Sequence, residues 1–211
     1  MKTSDLIGML ATGAGPAPRA AVARRLVPVV SGGAALAAML AIAAPGLVPA
    51  EMFSGTALWT KLAYAALLAS ASGWLTARLS RPAAPTTLPW CTVAAIVGAM
   101  AVLGIVSLLA VPAGGRVSHL LGLSWSVCPW FVLALSLPTL VGALWAVRGL
   151  APTRPHQAGL AAGLLAGAVG ALGYSWACPE ASMTFVAVWY SLGIALTDLI
   201  GMALGPHVLR W

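Results

Sequence analysis

The chain has 211 residues, of which 61% are hydrophobic and only 7% charged, and its mean hydropathy is +0.97. A water-soluble domain carries roughly 25% charged residues, so that class is excluded. The net charge of +7 does not describe a nucleic-acid-binding face either. The basic residues fall between apolar blocks, where they orient membrane helices, and no direct nucleic-acid binding is expected.

Residues 1–25 come first. Thr3 or Ser4 is placed to cap a short helix, with Asp5 at its positive N-terminal end. Leu6, Ile7, Met9 and Leu10 then share one broad face. Alone, such a helix is too short to be stable in water. Gly13 to Pro18 reads as a tether. A signal peptide is not expected, because the lead-in is long and the first apolar run is of spanning length. Arg24-Arg25 lacks the surroundings of a twin-arginine signal.

The rest of the chain predicts an all-α, polytopic membrane protein. Six spans are expected at about 26–47, 57–78, 87–111, 121–147, 157–176 and 183–204. Prolines mark many of the ends, Pro206 among them, where a missing N–H costs least. Pro129 and Pro138 instead fall inside the fourth span and are expected to kink it. With both termini cytoplasmic, nine of the eleven Lys and Arg residues lie inside, and only Lys61 and Arg116 lie outside. That bias predicts an N-in, C-in topology.

This topology places two Cys-Pro steps at one outer face. Trp125-Ser126-Val127-Cys128-Pro129 sits near the outer start of span four, and Trp176-Ala177-Cys178-Pro179-Glu180 in the loop between spans five and six. Cys91 lies near the inner start of span three. Three readings of Cys128 and Cys178 stand open. They are unrelated small hydrophobes, or a pair able to form a disulfide in an oxidising compartment. The third is a site for a transient metal ion, with His119 and Glu180 as weaker ligands on the same side. No resident cofactor is expected.

Asp198 is an acid well inside span six, and an intramembrane carboxylate points to function by default. The structural alternatives are a pair with Arg148 or Arg78, or a protonated carboxyl bonded to a neighbouring helix. Gly159, Gly163 and Gly167 repeat every four residues in span five and predict close helix packing within the bundle. Tryptophans near the span ends suit an aromatic belt. No histidine falls in a span, which excludes a bis-histidine haem, and there is no P-loop, HExxH or Ser–His–Asp set. Nothing in the sequence supports catalysis.

Several stretches together resemble the NrsF-type membrane anti-sigma factors. They are Met1-Lys2-Thr3-Ser4-Asp5-Leu6-Ile7, Pro16-Ala17-Pro18-Arg19, Lys61-Leu62-Ala63-Tyr64, Ala151-Pro152-Thr153-Arg154-Pro155, Cys178-Pro179-Glu180 and Phe185-Val186-Ala187-Val188-Trp189-Tyr190. The resemblance covers essentially the whole chain. It implies a six-helix protein of the bacterial inner membrane that holds an extracytoplasmic-function sigma factor inactive. Residues 1–25 would be the cytoplasmic sigma-binding segment, with Asp5, Leu6, Ile7 and Leu10 at the contact. Residues 26–211 would be the transmembrane sensor domain, in contact with membrane lipid. The resemblance also implies that Cys128 and Cys178 respond to heavy-metal or oxidative stress, and it gives Cys91 no role. The alternative reading is a small transporter or permease subunit, against which the sequence shows no inverted repeat.

Overall fold

A computed structural model describes residues 3–13, 20–44, 46–81 and 84–210, and among these every regular element is helical. The first helix, α1 (Thr3–Gly13), carries Asp5 in its first turn. Ile7 and Met9 are exposed on it, while the side chains of Leu6 and Leu10 lie outside what is described. Next come α2 (Ala21–Ala43), α3 (Thr56–Leu79) and α4 (Thr87–Leu109). A short helix, α5 (Arg116–Leu121), precedes α6 (Cys128–Arg148) and α7 (Pro155–Tyr174). The last, α8 (Met183–Val208), runs through a π-helical turn at Val186–Tyr190.

Each expected span falls on a helix. Five of the described helices, α2, α4, α6, α7 and α8, are long and apolar enough to cross a membrane. The sixth, α3, has 24 residues, but Lys61, Arg78 and a series of Ser and Thr residues make it less apolar. The outward faces are rich in exposed Leu, Val and Ile, as on α4 with Val102, Leu103, Ile105 and Val106. A water-soluble monomer does not present such a surface, whereas lipid covers it.

The bundle is built around α7, which packs against α2, α3, α6 and α8. Of its apolar window 83% is buried, against 17% for α2 and for α4, so α7 is the central rod and the other two are peripheral. Small residues allow this. A Cβ on Gly163 would lie 2.7 Å from the Thr197 carbonyl oxygen and 2.8 Å from the Asp198 Cα. On α7's other faces, a Cβ on Gly170 would meet the Ser136 N at 2.8 Å, and one on Gly173 would meet the Ala37 Cβ at 2.6 Å. The expected use of Gly159, Gly163 and Gly167 for close packing inside the bundle is what the α7–α8 contact shows.

Three expectations need correcting. The fourth span starts at Cys128 rather than near residue 121, because the chain turns between α5 and α6. Gly122 supplies that turn with φ +59°, a region L side chains rarely adopt. Pro129 therefore falls in the first turn of α6, where its missing N–H has no helical partner to lose, and it starts the helix instead of kinking it. Pro138 does lie inside α6. Pro206, read as end punctuation, lies inside α8.

Candidate functional site: a buried thiol pair with a lysine

At the end of the bundle where α6 begins, four segments converge. They are the first turns of α3, the turn after α5, the start of α6 and the loop after α7. Cys128 is the first residue of α6, its N–H bonded to the Ser124 carbonyl at 2.9 Å. Cys178 follows α7, its N–H bonded to the Tyr174 carbonyl at 3.0 Å. Each sulfur is thus fixed by a helix-like turn of its own backbone. Both residues are fully buried free cysteines, and their thiols are in hydrogen-bonding contact. The structure brings together the two cysteines that the sequence singled out, and leaves Cys91 exposed on α4.

Lys61 completes the group. Its side chain is also fully buried (0% exposed), and its Nζ donates to the carbonyl oxygens of Cys178 at 2.7 Å and Glu180 at 2.8 Å. A buried ammonium needs acceptors or an anion, and beyond these two carbonyls it faces the Cys178 thiol, the Glu180 carboxylate and the Cys128 thiol. Cys178 lies in the loop outside the helices of spanning length. The hydrogen bond from Cys128, and after it the Lys61 ammonium, hold the Cys178 thiol below its ordinary range against the opposing effect of burial. The Tyr190 hydroxyl, delivered by the π-helical turn, is buried against Cys178 and makes no regular hydrogen bond. Tyr174 lies between its neighbours, stacked on Phe131 at 5.5 Å and tilted against Tyr190 at 5.8 Å.

Glu180 closes the site from the side. Its Oε1 accepts from the N–H groups of Leu123 at 2.7 Å and Ser124 at 2.9 Å, and from the Ser124 hydroxyl at 3.0 Å. Gly122 makes room, since a Cβ there would sit 2.6 Å from Glu180 Oε2. The carboxylate thus clamps the turn before Cys128 to the loop that carries Cys178. His119 is not brought to the pair. Its Nε2 pairs with the Ser107 hydroxyl at 2.9 Å, and its carbonyl accepts from Ser182 at 3.0 Å. Among the described residues no three His, Cys, Asp or Glu side chains group as metal ligands. Two sulfurs without a third such ligand suit a soft ion content with two thiolates, not tetrahedral zinc.

Asp198 lies elsewhere, on the part of α8 packed against Gly163. Its Oδ1 is buried without a hydrogen-bond partner among the described residues. Arg78, one of its expected partners, stacks over Trp74 at 5.9 Å. At the N-terminal segment, Asp5 and Ile7 sit on α1.

Lys61 is not legible as a site residue in the sequence, where it reads only as an outward-lying charge. The signal was a lone lysine one turn inside an apolar helix, where a purely topogenic charge has no reason to be. Tyr174 and Tyr190 likewise read as ordinary aromatics of a span.

The fold and the site together define a class: an all-helical bundle of the membrane type, with a buried thiol pair at one end. The chain belongs to the NrsF family, the negative regulators of sigma F, whose family model matches residues 10–211. It is 42% identical over 216 residues to the anti-sigma-F factor NrsF of Caulobacter vibrioides (strain NA1000 / CB15N), with the full length of both chains covered. It is 38% identical over 217 residues to a probable anti-sigma-F factor NrsF of Azospira oryzae (strain ATCC BAA-33 / DSM 13638 / PS), again over both full lengths. No solved structure matches the chain. The family is regulatory rather than catalytic.

Proposed function

We propose that the protein is a six-span anti-sigma factor of the bacterial inner membrane, with both termini cytoplasmic. It holds an extracytoplasmic-function sigma factor through residues 1–25 and releases it when Cys128 and Cys178 are oxidised or bridged by a heavy-metal ion. The names of its relatives and the nine-to-two division of basic residues support this reading. The observation that carries it is the contact between the two buried thiols beside Lys61. Oxidation joins the two sulfurs in one S–S bond while two protons and two electrons pass to the oxidant. A soft metal ion displaces the same two protons and bridges the sulfurs. Either event changes the charge and spacing that Lys61, Tyr190 and the Glu180 clamp surround. The transporter alternative draws no support from Asp198, which sits on the closely packed α7–α8 contact rather than along an open path.

The test is a sigma-dependent reporter in cells carrying Cys128→Ser, Cys178→Ser or both, with membrane levels checked by blot. Induction by cadmium or by diamide should be lost in all three, while Cys91→Ser responds normally. Normal induction in the double variant removes the sensing role from the pair.

A further inference from the structure

The arginine-bearing end of the bundle, where α3 finishes and α4 and α7 begin, holds a second polar feature. A cleft of about 350 Å3 lies between the end of α3, the residues Ala84 and Pro85 that lead into α4, and the residues Thr153 and Arg154 that lead into α7. Three guanidinium groups line it, from Arg78, Arg81 and Arg154, together with Thr86, Thr87 and Thr153. None of the three arginines has a carboxylate partner among the described residues. Arg78 stacks over Trp74, and Arg154 reaches only the side-chain carbonyl of Gln157, at 3.5 Å. The whole chain has four acidic residues, and none of them lines the cleft. Two helices also begin there, α4 at Thr87 and α7 at Pro155. Neither has a side-chain cap or an acid in its first turn, so each adds uncompensated positive potential.

Positive-inside charge accounts for arginines at this end. It does not account for three of them converging on one cleft with three threonines and two uncapped helix starts. Three guanidinium groups lining one cleft repel one another, and an anion between them relieves that repulsion. Guanidinium forks and hydroxyls match the oxygens of a phosphate group. We infer that this cleft binds the phosphate of an anionic ligand. A phospholipid headgroup is the source best placed to supply it, because the cleft lies between helices of spanning length and Leu88, beside it on α4, is exposed.

The experiment uses the full-length protein in detergent, titrated with cardiolipin, phosphatidylcholine or pyrophosphate, and followed by native mass spectrometry and thermal shift. The triple variant Arg78→Gln/Arg81→Gln/Arg154→Gln is compared with Arg116→Gln/Arg148→Gln/Arg210→Gln, which removes equal charge at residues that do not line the cleft. Wild type and the second triple should bind cardiolipin in preference to phosphatidylcholine, and the cleft triple at least about tenfold more weakly. The single change Arg81→Gln, at an exposed position, gives a partial loss and guards against misfolding of the triple. Displacement of cardiolipin by pyrophosphate identifies the phosphate as the whole ligand, and resistance to it identifies the intact lipid. Equal weakening in both triples, or no anion bound at all, overturns the inference. So does a cleft triple that binds cardiolipin normally but no longer retains the sigma factor, which makes this a protein-docking face.

Discussion

A lysine ammonium buried among apolar side chains is costly unless its protons and charge are answered. Lys61 meets that cost with two carbonyl oxygens, the neighbouring thiol pair and the Glu180 carboxylate, and after the Cys128 hydrogen bond it is the group that favours the Cys178 thiolate. The Cys178 thiol lies below its ordinary range, so its thiolate persists as pH falls. An ordinary thiol loses roughly eightfold in thiolate between about pH 8 and about pH 7. Oxidation of the Cys128–Cys178 pair by diamide should fall by much less over that interval. Lys61→Met removes the ammonium and should steepen the dependence toward that of an ordinary thiol, and Lys61→Arg should restore part of it. Mass-spectrometric quenching of the membrane protein at each pH gives the rates. If Lys61→Met leaves both rate and slope unchanged, the ammonium has no part in the thiol chemistry. At this scale the meeting of Cys128 and Cys178 was legible, because the alternation of helices along the chain brings both to the same end of the bundle. Lys61, bonded to carbonyls 117 and 119 residues away, was not, since no local periodicity encodes such a contact.

Among the elements, α7 is the one whose sequence most constrains its neighbours, since glycines at several of its contacts let other helices reach its backbone. Gly163 faces the Thr197 carbonyl and the Asp198 Cα, with no flexible side chain to yield. Gly163→Leu should therefore separate α7 from α8 and cost at least about 1–3 kcal/mol, the range for overpacking a close-packed interior. Thermal unfolding in detergent measures it, with Gly98→Leu as control, because nothing lies within 4 Å of a Cβ at Gly98. Equal effects at the two positions would mean that helix propensity, not packing, explains the loss. The helices themselves were legible because lengths of apolar sequence fix them. The junction between α5 and α6 was not. Its residues are apolar enough to continue a span, and only the φ of Gly122, the Glu180 clamp and the first-turn placement of Pro129 end one helix and begin the next. The π-helical turn was hidden for a similar reason, since the chain around Tyr190 reads as uninterrupted helix.

At the scale of the molecule, α2 reaches the packed cluster that holds the two thiols. Helix α2 begins at Ala21, within the last residues of the segment 1–25. At its far end Ala37 and Ala41 belong to the same packed cluster as Cys128 and Cys178. Beyond α2, the Val48 N–H bonds to the Trp176 carbonyl at 3.0 Å, two residues before Cys178. A change in sulfur spacing therefore has a direct route to α2, through a contact with α7 at Gly173 that leaves no slack. On the proposed reading the thiols act upstream of the tail, and the tail alone touches the sigma factor, as an apolar helix laid in a groove. That ordering predicts how variants combine. Leu6→Asp/Leu10→Asp should release the sigma factor without any stress, while the bundle stays folded and the thiols still oxidise. Cys128→Ser/Cys178→Ser should hold it under all conditions. The quadruple variant should behave like the tail variant, because a tail that cannot bind has nothing left to gate. Reporter output together with co-purification of the sigma factor reads all three. A quadruple variant that retains the sigma factor would place the binding surface on the bundle and remove the tail from the mechanism.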